Sequence, residues 1–556
     1  MRYLVYHFFF LLMLLPLFCA ADITDWYKVR TDNSGNIYVL GHYNGSVVVD
    51  NIILGDSNNF KGIDSSAYFL AKYDSTGGLL WVDSIVGITT NCFGLCPGFV
   101  GLVIDNDNNV LISLSGHKKT VYRGVVYAQP NIIKLDSTGN VLWTKRIYKD
   151  GFGETDISVD GYDNVYFASV FVKSVISDSD TLYSCDSSRI KTCVVKLGKN
   201  GATKWIREIA SPLAISPTGI QECFFLQVDS VGNSYVGGMA SGTISLGNFN
   251  FTSSGFYPFI AKLDSNGSSV FLKGYPVHWI PGTSHSNFIS GNISHNQKLY
   301  VCGKFRDTVF VSSGKYVVTK SNVATPYIAE TSTANGDAVW YQYNRDTSSF
   351  AHWNIAYSIC SDENDNSLVI GDVNSAIKFL DNATVSTLTP GLSNTYFAKF
   401  DSLGNFQCYK TDTSMLLDGT TYGSNYYTVG ISNENTIGQI HRSSITLVKW
   451  DINYCAEIWR RQMNQVVVLP IPISVESVSQ KNKFRLYPNP STNGIFNLEG
   501  EFIEIVDIHV YDIYGKRVAV DGKNGNIDIS VQPKGVYILK VTSKDRSVFT
   551  GKLLYR

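Results

Sequence analysis

Two stretches of this chain place oxygen-bearing side chains at alternate positions, Asp105-Asn106-Asp107-Asn108-Asn109 and Asp362-Glu363-Asn364-Asp365-Asn366. Calcium loops use such spacing, but they also carry a central Gly and a distal bidentate Glu, which neither stretch has. The corresponding places elsewhere in the chain hold Ser34, Tyr162 and Val231. The loop therefore folds without ligands there. Asp and Asn side chains that bond local backbone amides account for the pattern, and no metal is expected. A second set of reactive types is the histidines at His278, His285, His295 and His352. Two of them precede a tryptophan, in His278-Trp279 and His352-Trp353. Exposed indoles stack on sugars or grip a peptide. Trp279, Trp353, His278 and His352 are thus the binding candidates, with packing between neighbouring units as the alternative role for the same rings. There is no Gly-x-Ser-x-Gly elbow, no His-Glu-x-x-His and no phosphate loop. No catalytic residue and no cofactor can be named.

The elements that must position these residues are repeats. A motif close to Asp-x-x-Gly-Asn-x-Tyr-Val-x-Gly occurs around Asn36, Asn109, Asn164, Asn233, Lys298, Asn366 and Asn425. It alternates with Lys-x-Asp-Ser-x-Gly at Lys72, Lys134, Lys196, Lys262, Glu330, Lys399 and Lys449. A Trp follows nine or ten residues after the Lys, with Phe271 and Cys408 in its place twice. Repetition at 50 to 73 residues means an array of similar supersecondary units. Asp32 to Asn36 reads as a turn and Ile37 to Leu40 as a short buried strand. Phe69 to Tyr73, the turn Asp74 to Gly77, and Leu79 to Trp81 read as a hairpin. The recurrent Trp is expected in the core.

Four strands per unit, taken as the Gly-ended strand, one strand of the variable hairpin, the Lys strand and the Trp strand, describe a β-propeller. Seven units make seven blades. The last strand, near Glu457 to Gln465, is expected to pair into the sheet begun near Tyr38, which removes exposed edges. An open two-domain arrangement or a sandwich tandem is the alternative. The repeats resemble the seven-bladed propeller repeat of secreted bacterial proteins. Enzymes on such a scaffold draw residues from distant blades, so a polysaccharide-acting hydrolase or lyase stands as the alternative to a binding or structural module. The loops carrying Trp279 and Trp353 follow the fourth-strand position.

Composition sets the surroundings. Charged residues are 17% against 33 Tyr and 30 Phe, a balance suited to strands. The net charge of -1 gives no excess of cations for a nucleic acid. Arg2, the apolar run Phe8 to Phe18 and Cys19-Ala20-Ala21 read as a signal peptide over residues 1–21. No stable membrane insertion is expected. Export permits disulfides: Cys185 and Cys193 flank a short loop they are placed to staple, Cys92 and Cys96 lie close together, and Cys302 reads as an inert buried thiol.

Residues 22–465 are the expected propeller and 466–484 a linker. From 485 to 556 short alternating strands read as a small Ig-like β-sandwich. Tyr487-Pro488-Asn489-Pro490, Asn493-Gly494, Tyr511-Asp512 with Gly515-Lys516, Gly535-Val536-Tyr537 and Lys552-Leu553 follow in order. This tail resembles the type A C-terminal sorting domain of the type IX secretion system in the Bacteroidetes. The resemblance implies the secretion machinery as partner, periplasmic transit, and delivery to the medium or the cell surface. A glycan or protein is the expected ligand class. Asp-Ser turns at Ser75, Ser137 and Ser230 resemble O-glycosylation sites of the same phylum.

Overall fold

The computed structural model describes residues 27–43, 46–54, 65–88, 100–114, 119–128, 131–147, 155–171, 174–177, 180–184, 191–209, 221–275, 287–305, 308–312, 315–318, 325–343, 354–373, 377–379, 384–385, 394–437, 440–466, 485–499, 505–512, 517–518, 521–523, 526–543 and 548–556. The chain divides into two compact units, Met1–Leu469 and Pro470–Arg556. Among the described residues every regular element is a strand.

In the first unit each repeat builds one antiparallel sheet from four strands. In the first repeat these are Tyr27–Thr31, Ile37–Tyr43, Ser65–Tyr73 and Leu79–Ile88, hydrogen-bonded in that order. Six more repeats follow the same order, the seventh through Met415–Tyr422, Asn425–Ile437, Ile440–Asp451 and Ala456–Val466. The sheet therefore begins one strand before the first motif, and the variable hairpin does not contribute to it. In the first two repeats that hairpin instead joins the preceding sheet, and in the third, fifth and sixth it forms a two-stranded sheet of its own. Ser46–Val49 and Ile52–Leu54 extend the seventh sheet, and Lys119–Tyr122 and Val125–Ala128 extend the first. The closing strand also differs from expectation. Ala456–Val466 is the fourth strand of its own sheet, and only its end pairs with the first repeat, Val466 to Ser46 and Asn464 to Val48.

Both faces of each second strand are covered, which explains the continuous apolar run. All of Ile37–Tyr43 is buried. Ile37 and Val39 pack with Leu447 and Val429 of the seventh sheet, while Tyr38 and Leu40 pack with Ile112 and Val110 of the second. Similar clusters lie between every successive pair of sheets. The first strands contact one another in succession around the seven sheets, and the first strand of the seventh packs against Tyr27–Thr31.

The second unit contains two four-stranded antiparallel sheets. Phe496 and Ile527 of one share a core with Val510, Leu539 and Leu553 of the other.

Candidate functional site

Five of the seven repeats build the same corner from an Asp of the first motif and the Lys of the second. The Asp32 carboxylate closes its turn by accepting from Ser34 N and Asn36 N, both at 2.9 Å, and from Asn36 Nδ2 at 2.8 Å. Asp105, the head of one calcium-like stretch, does the same with Asp107 N and Asn109 N. Asp362 matches it with Asn364 N and Asn366 N. These oxygens hold turns, as the residue types require. The Lys of the second motif then reaches across. Lys134 Nζ lies 2.7 Å from Asp105 Oδ2, with both side chains almost fully buried. Burial lowers the Lys196 ammonium pKa, against the pull of Asp160.

The same Lys ties its sheet to the next. Lys72, Lys196 and Lys262 donate to the carbonyls of Ser137, Ser265 and Thr333, and Lys449 donates back to Ser75 of the first repeat. The recurrent Trp joins in. Trp143 Nε1 donates to Lys199 O at 3.1 Å and Trp205 Nε1 to Ser265 O at 3.1 Å. The indole lies over the next turn's glycine. A Cβ on Gly201 would sit 3.1 Å from Trp143, and one on Gly404 2.5 Å from Trp340. These glycines have φ of +82° and +84°, so close approach and backbone both require Gly. The Trp is half-buried, packs against the core cluster between sheets as expected, and in addition latches the neighbouring sheet.

The fifth repeat inverts the corner. Its Asp, Asn and Lys places hold Ser294, Lys298 and Glu330. Lys298 Nζ lies 3.3 Å from Glu330 Oε2 and 3.4 Å from Ser402 O of the next turn. Trp340 Nε1 donates to the same carboxylate oxygen at 3.0 Å. The ammonium thus keeps its task although it comes from the other strand.

The first strands line a cavity of about 150 Å³, mostly with polar groups. Arg30 Nη1 pairs with Asp418 Oδ2 at 2.6 Å, across the first and seventh sheets. Val29 N donates to the same oxygen at 3.0 Å, and Ser358 Oγ donates to Asp418 Oδ1 at 3.0 Å. Further along, Ser361 Oγ donates to Asn292 Oδ1 at 2.7 Å and Leu226 N to Asp156 Oδ2 at 2.8 Å. These bonds link neighbouring first strands. Arg30 and Asp156 lie deep in the molecule and line the cavity, and the Arg30 side chain keeps 30% of its surface accessible. Burial opposes the Arg30 charge, but Asp418 outweighs it and raises the guanidinium pKa. Burial raises the Asp156 pKa, with Lys28 and two backbone amides opposing. Two cations and two carboxylates line one cavity, so it carries no strong field for an ionic ligand. The arrangement can hold water or a small neutral polar group.

Sequence reasoning missed Arg30, Asp156 and Asp418. The available signal was a charged residue inside the short strand just ahead of the first motif, as in Tyr27–Thr31, Thr155–Val159 and Met415–Tyr422. It also missed the disulfide between Cys408 and Cys455. Cys302 and Cys360 are free buried thiols, and Cys193, expected to staple a loop with Cys185, is buried, as is Cys223. Burial pushes the Cys302 thiol pKa far up, in keeping with an inert group. Cys92, Cys96, Cys185, His278, Trp279, His352 and Trp353 lie outside the described residues, as does the leader. Among the described residues no group of three or more His, Cys, Asp or Glu converges as a metal site. Among them, too, no helix is long and apolar enough to cross a membrane.

In the tail the motif residues tie the start of the unit to its end. Asn489 Nδ2 donates to Lys552 O at 2.6 Å, and Asn489 Oδ1 accepts from Leu554 N at 2.9 Å. Asn493 Oδ1 accepts from Ser491 Oγ and Ile495 N. Gly494 has φ +77°, and a Cβ there would meet Ser530 Cα at 2.6 Å. Tyr537, in the strand Gly535–Ser543, is buried and donates to Pro533 O. Tyr487 is exposed at its edge. Gly515 and Lys516 lie outside the described residues.

The sheets and the tail define an all-β, secreted protein with a type IX sorting signal. In particular, residues 485–555 match the family described as the secretion system C-terminal sorting domain. No curated protein matches the chain. Among solved structures it is similar to a protein of unknown function from Bacteroides caccae, at 10% identity and TM-score 0.32, covering 63% of this chain and 93% of that one. It is also similar to BamB from Moraxella catarrhalis, at 12% and 0.24, covering 74% and 96%. The polysaccharide lyase Uly1 follows at 9% and 0.30, covering 95% and 89%. At these scores the three likenesses carry no weight for fold or activity.

Proposed function

We propose that this is a seven-bladed β-propeller exported by the type IX machinery and presented outside the cell as a binding or structural module for a glycan or protein. The observation that carries the export half is the sorting-domain match over residues 485–555. The successive contacts of the first strands and the Arg30–Asp418 pair between the first and seventh sheets support a closed propeller. On this reading residues 1–21 are the leader, 22–465 the propeller and 466–484 a linker to an Ig-like sandwich at 485–556. The cavity side chains already bond one another, which favours a ligand on the loop surface over one in the cavity. Trp279 and Trp353, with His278 and His352, are the contact residues of this reading.

Deleting residues 485–556 in the native host and fractionating the cells tests the export half. The truncated chain should accumulate in the periplasm; normal levels in the medium would remove the sorting role. For the binding half, the purified full chain is screened on immobilised polysaccharides. A Trp279→Ala/Trp353→Ala double variant should lose any binding while keeping its urea midpoint. An unchanged affinity, or a collapse in stability, counts against these two residues as the contact surface.

A further inference from the structure

At six of the seven places where one repeat meets the next, an aromatic ring covers or donates to the neighbouring turn. Trp143, Trp205, Trp340 and Trp459 lie over Gly201, Gly267, Gly404 and Gly77, Phe271 lies over Gly336, and Trp81 donates to Ser137 O. The sixth repeat breaks the series. Cys408 stands opposite Lys399, where Trp81 stands opposite Lys72. The turn it faces carries Cys455 instead of Gly, at φ +49°. The two cysteines are bonded, with Cα atoms 6.2 Å apart and a sequence separation of 47. A disulfide thus occupies the place of the ring-on-glycine latch. Two reduced thiols fill far less space than an indole and bond neither chain to the other.

We propose that the Cys408–Cys455 bond is an oxidation-dependent lock between the sixth and seventh sheets, set after export. Two thiols become one disulfide, and the two electrons and two protons pass to an oxidised protein dithiol of the exporting compartment by thiol–disulfide exchange. Cytosolic chain remains reduced and lacks this latch. Cys408 is half-buried, so an exchange partner reaches it, whereas Cys193, Cys223, Cys302 and Cys360 are buried. Closing a loop of this length removes enough freedom from the unfolded chain to shift the unfolding equilibrium about a thousandfold.

The test uses the full chain, urea unfolding with and without dithiothreitol, and peptide mapping after differential alkylation. Mapping should find Cys408 and Cys455 linked, and reduction should lower the midpoint of the native protein. Cys408→Trp/Cys455→Gly rebuilds the latch used elsewhere and should lose that response. Cys408→Ala/Cys455→Ala should be weaker than the oxidised protein and equally unresponsive. The proposal is overturned if the native midpoint does not move once mapping shows both thiols alkylated. An undiminished response in both variants also overturns it, because the sensitivity then lies at other cysteines.

Discussion

The inverted corner of the fifth repeat gives a quantitative test of how the repeats are joined. Glu330→Lys alone removes the acceptor of Trp340 Nε1 and sets a second ammonium beside Lys298. A hydrogen bond to a charged group contributes about 1.5–3 kcal/mol. The ion pair adds about 1 kcal/mol, since the Lys298 side chain is 31% exposed against 10% for Glu330. The single change should therefore cost about 3 kcal/mol. Lys298→Asn alone leaves the carboxylate without its cation and Ser402 O without its donor, and should cost about 1.5 kcal/mol. The double variant restores the Asn and Lys of the other repeats, with Ser294 still in the Asp place, and should also cost about 1.5 kcal/mol. The coupling is then about 3 kcal/mol, near the upper end for side chains in contact. Urea unfolding of the four proteins, followed by Trp fluorescence, measures it. Costs that simply add, with a coupling below about 0.5 kcal/mol, would show that Lys298 does not take over the task of the usual Lys.

Trp143→Ala should lose the cover over Gly201 and the bond to Lys199 O, lowering stability by about 2–3 kcal/mol in the same assay; a loss below 0.5 kcal/mol, as at an ordinary surface site, rejects the latch. The Asp372 carboxyl is pushed up to about 6 by burial, with the Tyr357 hydroxyl bond opposing. Because the folded value lies above the unfolded one near 3.8, its contribution is full at low pH and is lost as pH rises toward 6. Relative to Asp372→Asn, the native protein should lose roughly 2–3 kcal/mol across that window; parallel pH profiles of the two proteins reject the shift. In the tail, Gly494→Ala meets both a positive φ and Ser530. It should unfold that unit and leave the chain unexported, read by limited proteolysis and fractionation; normal proteolytic resistance argues against the strain.

The alternating motifs made the strand content and the sevenfold repetition readable, because the Asp turn, the buried strand and the Lys-Trp hairpin each have local causes. The strand before each first motif was not readable. Its members, such as Tyr27–Thr31 and Thr155–Val159, share no motif, and the polar side chains that several of them turn to the cavity break the apolar run of a buried strand. Without that strand the phase of the repeat was misjudged by one, and Ala456–Val466 was assigned to the first sheet. The place of Cys408 in the Trp series was visible. Its partner was not, because Cys455 stands in the place of a turn glycine and the link spans two sheets. The tail was legible because its residues are chosen by backbone geometry, as Gly494 and Asn489 show.

The exchange of Ser294, Lys298 and Glu330 has a consequence for heredity. Repeats this alike invite unequal crossing-over, and most recombinants between them would rejoin a Lys strand to an Asp turn without conflict. The fifth repeat is the exception. A crossover inside it that delivered Glu330 to another repeat would place a carboxylate against the Asp of that turn, and one that delivered Lys298 would set two ammonium groups together. The pair therefore travels as a unit or not at all, which restrains crossovers inside the fifth repeat and leaves those among the other repeats free.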